Sequence, residues 1–248
     1  MSSGGVWLLF LASAFMAETI GTMAGFGAAT ILTPIAILFM DAKTAIAVVA
    51  AFHLFGNGSR LFFFGRSIHW KTWLQFGLSG ILFSFVGAGV TTRLSSSMLE
   101  LCFGVFLLLY VGLSTVASER VRLPRHPATL VGGGVASGFI AGLLGTGGAI
   151  RSVCLLACGL PKETYVGTSA AIALIVDATR LPVYLAGRFL PATMIPALAG
   201  LVLVAFAGSW VGQRLVRRIS AVGFRRFVNV MLALMGLRLL FKGWHGAA

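Results

Sequence analysis

Charge is scarce in this chain. Only 10% of its 248 residues are Asp, Glu, Lys or Arg, and just 6 are acidic. A soluble domain carries about 25% charged residues. A sequence that is 58% hydrophobic, with a mean hydropathy of +0.98, cannot cover its surface with polar groups. It therefore reads as an all-α polytopic membrane protein. Cysteine is scarce too. Cys102, Cys154 and Cys158 all fall in apolar segments. Cys154 and Cys158 have one-turn helical spacing but no further His or Cys beside them, so they read as small buried hydrophobes and no metal is expected. The Gly145-Thr-Gly147 run lacks both the strand context and the Lys-Ser/Thr of a phosphate loop, so no nucleotide and no other cofactor is expected. No basic stretch precedes Val6–Phe15, which reads as part of a first membrane segment and not as a cleaved signal. The net charge of +13 would suit nucleic acid, but the basic residues are dispersed in short loops between apolar runs, which excludes that partner class.

What remains is a set of apolar segments, at 6–22, 28–40, 44–64, 73–91 and 98–116, then 128–143, 148–160, 164–186, 192–211 and 225–242. The charged stretch 119–127, ERVRLPRHP, divides them into halves 1–118 and 128–248. The halves look like repeats. At an offset of 120 residues Gly25-Phe-Gly27 falls on Gly145-Thr-Gly147, Asn57 on Asp177 and Arg60 on Arg180. A spanning helix needs about 20 residues, which 28–40 and 148–160 do not reach. Each follows a glycine break whose unpaired backbone lipid does not tolerate. Each half is therefore expected to open with a re-entrant or broken helical hairpin, followed by three transmembrane helices. On that topology one side collects 11 basic residues, Arg66, Lys71, Arg122 and Lys162 among them, against 5 on the other, including Lys43 and Arg188. Such an excess marks the cytoplasmic side. An odd number of crossings per half makes the two repeats inverted, with both termini outside.

Arg60, Arg151 and Arg180 fit no loop and are left inside. Helical spacing sets Ser169, Ala173, Asp177, Arg180 and Tyr184 on one stripe, and Val49, His53, Asn57, Arg60 and Phe64 on another. An inverted repeat brings the stripes together near mid-depth. Two guanidiniums there would suit a small oxyanion, because Arg presents a planar fork to carboxylate, sulfonate or phosphate oxygens. The alternative is that Asp177 pairs with Arg180 or Arg60 only to hold helices together, with Arg60 snorkelling to an interface. The glycine breaks at Gly25, Gly27, Gly145, Thr146, Gly147 and Gly148 let backbone N–H groups and the positive ends of two half-helices face a ligand. Close helix packing is the alternative there. Arg151, one turn into the second short helix, could add charge. Glu18, Asp177 and His53 are the candidates to carry a coupling proton.

A glycine break, a short apolar segment, and then Gly167-Thr168-Ser169 opening the next helix together resemble the sulfite exporter TauE/SafE family. The resemblance covers essentially the whole chain and is closer in the second half. In the first, Ala28-Ala29 and Ala47-Val48-Val49 replace the expected glycines and Gly-Thr-Ser. It implies a transporter of sulfur-containing anions built from two homologous halves, with Thr168 and Ser169 added to the substrate site. The expected function is secondary transport, as an exporter, of a small oxyanion such as sulfite or an organosulfonate. The mechanism would be alternating access, driven by a proton or sodium gradient or by the substrate's own. An anion channel would use the same residues, and an intramembrane enzyme is the remaining class. The chain would sit among lipids of the plasma (inner) membrane, where a homodimer is compatible with everything above. Cysteines introduced at Arg122 and at Lys43 should be labelled by an impermeant reagent from opposite sides of the membrane. Labelling of both from one side would overturn the inverted topology.

Overall fold

The protein is described from a computed structural model, which covers residues 3–24, 27–64, 67–116, 126–215 and 221–247. Among the described residues there is no strand, and α-helices follow one another along the chain. They are α1 (Ser3–Ala24), α2 (Ala29–Ala36), α3 (Ala42–Phe64), α4 (Trp70–Arg93) and α5 (Ser96–Val116). After the linker come α6 (Pro127–Leu144), α7 (Gly148–Ala157), α8 (Lys162–Ala186), α9 (Ile195–Leu215) and α10 (Ala221–Ala247). Each coincides with one of the apolar segments read from the sequence. Seven are long and apolar enough to cross a membrane: α1, α3, α4, α5, α6, α8 and α9. The chain is an all-α integral membrane protein. Residues 119–125 of the charged linker lie outside the described residues; His126 caps α6, its Nδ1 accepting from the Ala128 N–H, and Pro127 opens it.

The distribution of polarity is that of a membrane protein. Leu74, Leu78, Leu82 and Phe85 form an exposed apolar row on α4, as do Leu234, Leu237, Phe241 and Trp244 on α10. Meanwhile Glu18, His53, Asn57, Arg60, Arg151, Asp177 and Arg180 are all buried. Lipid solvates the first set without cost, whereas the second must find partners inside.

The two short helices are what the glycine breaks produce. Gly27 has φ of +86° and Gly145 has φ of +78°, a left-handed backbone that glycine adopts without a Cβ clash. After Gly27, whose N–H donates to the Gly21 carbonyl at 3.2 Å, the chain folds back and α2 packs on α1. After Gly145, α7 folds back on α6 in the same way. The first turns of α2 and α7 meet, with the Thr30 and Thr146 hydroxyls hydrogen-bonded at 2.8 Å.

The halves interlock. Most helices find their most extensive partner in the other half: α1 on α9, α4 on α6, α3 on α8 and α5 on α10. The α4–α6 contact is built on glycine. A Cβ on Gly138 would lie 2.7 Å from the Gly80 Cα, and one on Gly142 would lie 2.6 Å from the Ala88 N. Helices in lipid associate through such close backbone approach, since no hydrophobic drive separates Leu from an acyl chain. Gly132 lies on the same helix with nothing within 4 Å of a Cβ position. Gly138→Val should therefore lower the melting temperature and the monodisperse yield in detergent, while Gly132→Val should leave both at the wild-type level. Equal behaviour of the two variants would contradict this packing.

Candidate functional site

The site begins with register. Asn57 lies fifteen residues after Ala42, the first residue of α3, and Asp177 fifteen after Lys162, the first of α8. At about 1.5 Å per residue each sits about 22 Å along its helix, at the same distance from the helix start. The two helices pack together, and Asn57 Nδ2 donates to Asp177 Oδ2 at 3.0 Å. The two residues that share a position at the 120-residue offset thus touch.

Asp177 is a hub. Arg180 donates to its Oδ1 twice, from Nε at 2.9 Å and from Nη2 at 2.7 Å. Its Oδ2 receives Asn57 and also His53 Nδ1, at 2.9 Å. A carboxylate offers about four lone-pair positions, and these four contacts fill them. The Arg180 Nη1 donates to the Ala141 carbonyl at 2.7 Å, which joins α8 to the end of α6. Arg60 continues the network on the other side. Its Nη1 donates to Asn57 Oδ1 at 2.8 Å and its Nε to Thr22 Oγ1 at 3.1 Å, while Nη2 pairs with Glu18 Oε1. Ser209 on α9 donates to the same Glu18 oxygen at 2.7 Å. One connected set of side chains therefore links α1, α3, α6, α8 and α9.

Hydrogen-bonding roles follow from the partners. Arg only donates and a carboxylate only accepts, so the Asn57 amide must turn its oxygen to Arg60 and its nitrogen to Asp177. By the same argument His53 carries its proton on Nδ1 when it bonds Asp177. Glu18 has room because Gly56 and Gly208 face it; a Cβ on either would come within 2.9 Å of its side chain. Its position at the 120-residue offset, Gly138, is closed by the backbone of α4, which is why the second half has no such carboxylate.

Arg151 differs from the other two arginines. It is buried on the first turn of α7, its N–H donating to the Gly147 carbonyl and its Nε to Ser169 Oγ at 3.0 Å. Among the described residues no carboxylate lies within ion-pair distance of it. Among the described residues the network and Arg151 together hold three guanidiniums and two carboxylates, while Glu100, the other buried carboxylate, pairs with Lys242, so the unmatched positive charge resides on Arg151.

The residues expected from the sequence distribute as follows. Asn57, Arg60, Asp177, Arg180, Glu18 and His53 form the network, with Gly27 against His53 and Arg60 and Gly145 against Arg180 Nη1. Thr146, Gly147 and Gly148 form the turn into α7, beside Arg151 and Ser169. Thr168 stands apart, accepting from the His69 N–H at 2.9 Å where α4 begins. The Gly167-Thr168-Ser169 run does not open α8, which starts at Lys162. Gly25 lies outside the described residues. Ser209 and the contact of Thr30 with Thr146 had no sequence signal beyond being small and polar in apolar runs. Cys102, Cys154 and Cys158 form no disulfide.

Comparison with known proteins gives the same picture at the level of the whole chain. The family model described as "Sulfite exporter TauE/SafE" matches residues 9–239. A "Probable membrane transporter protein" of Methanocaldococcus jannaschii is 25% identical over 257 aligned positions, covering 94% of each chain. No solved structure matches the chain.

Removing one partner of a buried ion pair strands the other, at a cost of about 3–5 kcal/mol. Asp177→Ala should destabilise the protein by that order in thermal unfolding in detergent, and Arg180→Ala similarly. The double variant should lose clearly less than the sum. Strict additivity would show that the two side chains do not act as a pair.

Proposed function

Since the chain belongs to the sulfite exporter TauE/SafE family and is an integral membrane transporter, we propose that it carries a small sulfur-containing oxyanion, sulfite or an organosulfonate, out of the cell across the plasma (inner) membrane. Transport is secondary, by alternating access of two inverted repeats.

The observation that carries this reading is Arg151, a buried guanidinium without a carboxylate at the start of a half-helix. Arg60 and Arg180 are each matched by an acid. An anion placed beside Arg151 completes the charge balance of the interior. It also meets the positive ends of α2 and α7, where free N–H groups favour negative charge. Gly27, Gly147 and Gly148 keep Cβ atoms out of that approach, and the hydroxyls of Thr30, Thr146 and Ser169 exchange their present contacts for anion oxygens. Arg60, Arg180, Asn57 and Asp177 form the framework behind the ligand and hold the two halves in register. Because α1 is paired with α9 and α4 with α6 across the halves, alternating access would move groups of helices drawn from both inverted repeats against one another. A network of matched charges moves as a unit, while the single unmatched cation takes on and releases its partner.

Binding to the purified protein should be measured against sulfite, methanesulfonate, sulfate, phosphate and acetate. A saturable signal is expected for the sulfur oxyanions. Arg151→Ala should abolish it with the protein still monodisperse in detergent. Arg151→Lys should weaken it by about tenfold or more, because an ammonium cannot reproduce bidentate contacts. Unchanged affinity in Arg151→Ala would overturn this assignment.

A further inference from the structure

His53 is the buried titratable group that the anion site does not yet use. It is 3% exposed, its Nδ1 is committed to Asp177, and its Nε2 has no hydrogen-bond partner among the described residues. That nitrogen points at the glycine break: a Cβ on Gly27 would lie 2.6 Å from it and 3.7 Å from Arg60 Nη1. It therefore stands at the approach to the first turn of α2, one of the two half-helix ends assigned to the anion. The position at the 120-residue offset in the second half is Ala173, so this device exists once per chain.

We propose that His53 Nε2 is the proton-carrying atom of the transport cycle, with Asp177 as its fixed positioning partner. The argument is one of hydrogen-bond supply, and it rests on the anion-transport reading above. With the imidazole neutral, Nδ1 carries the hydrogen that Asp177 accepts and Nε2 presents a bare lone pair. A buried acceptor left unpaired costs little beside a buried N⁺–H with nothing to receive it. Protonation in the empty state creates that second situation. An anion at the start of α2 removes it, because its oxygen accepts from Nε2–H and its charge balances the imidazolium. Anion and proton therefore bind together, and by linkage each raises the affinity for the other by the same factor.

The surrounding charges leave this role to His53. From α8, Asp177 has all four acceptor positions occupied and is held by Arg180. On α3 itself Arg60 is paired to Glu18 of α1. Arg151 of α7 is a permanent cation that binds anion but carries no proton. The segment Ala29–Ala36 of α2 contains no titratable side chain, and the titratable residue of α9, Arg214, stacks over Trp210 near that helix's end. Glu18 is the rival, since its Oε2 also lacks a partner. Its other oxygen, however, already accepts from Arg60, Thr22 and Ser209, which ties that carboxylate to α3 and α9.

The sign of the pH dependence follows. Binding takes up a proton, so anion affinity rises as pH falls, by at most about tenfold per pH unit for one proton. The test is calorimetry of methanesulfonate binding to the purified protein in two amine buffers of different ionisation enthalpy. Methanesulfonate stays a monoanion throughout, whereas sulfite itself titrates near neutrality. Wild type should take up close to one proton per anion bound near neutral pH. His53→Gln should keep saturable binding with no proton uptake and a flat pH profile. Saturable wild-type binding without proton uptake overturns the proposal whether or not any variant folds. So does uptake that survives in His53→Gln, which is the outcome expected if Glu18 carries the proton. Absence of saturable binding for methanesulfonate, sulfite and the other anions alike contradicts the transport reading itself, a different failure from the first.

Discussion

The structure depends on Asp177 accepting four hydrogen bonds in the middle of a hydrophobic protein. A charged side chain at mid-membrane costs about 2.5–3.5 kcal/mol on insertion scales. Among the described residues six charged side chains are buried: Glu18, Arg60, Glu100, Arg151, Asp177 and Arg180. The cost is offset where charged groups find partners, and those partners come from different helices. Asp177 fixes α8 against α3 through His53 and Asn57, and its hold on Arg180 brings in the end of α6. Arg60 repeats the arrangement toward α1 and, through Glu18, toward α9. Apolar packing alone would let helices slide along one another, since lipid is as good a neighbour as Leu. The polar network fixes their register.

The proposed function rests on what the network leaves out. Glu18 pairs with Arg60, Asp177 with Arg180 and Glu100 with Lys242, and Arg151 is left at the start of α7. The glycine breaks serve both purposes, bringing backbone N–H groups inward and allowing His53 and Arg60 to approach the chain at Gly27. The asymmetry between the halves has physical causes that can be named. Glu18 exists in the first half because Gly56 and Gly208 leave space for it, and has no counterpart because α4 closes on Gly138. His53 sits opposite Ala173 at the repeat offset, which gives the chain a single titratable imidazole beside the site.

Much of this was legible in the sequence. Helix positions follow from runs of hydropathy, which lipid enforces strictly, and the ten apolar segments match α1–α10 closely. The meeting of Asn57 with Asp177 could be read from the repeat offset, because residues at equivalent depth in two packed helices must approach each other. What could not be read was the choice of partner. Glu18 and Arg60 are separated by 42 residues, and nothing local says that α1 brings its carboxylate to α3. For the same reason the sequence ranked Arg60 and Arg180 as the anion's partners and Arg151 as an addition, whereas the proposal drawn from the ion pairs puts Arg151 first. The family resemblance grouped Thr168 with Ser169, yet one turns to the start of α4 and the other to Arg151.

The central claim is that a single oxyanion binds at Arg151, between the first turns of α2 and α7, while the Glu18–Arg60 and Asp177–Arg180 pairs stay intact. Crystals grown with bromomethanesulfonate test this most directly, because the anomalous signal of bromine marks the ligand without reference to any assumed position. The account predicts one peak beside the Arg151 guanidinium with both ion pairs unbroken. A peak between Arg60 and Arg180 with their carboxylates displaced would contradict it.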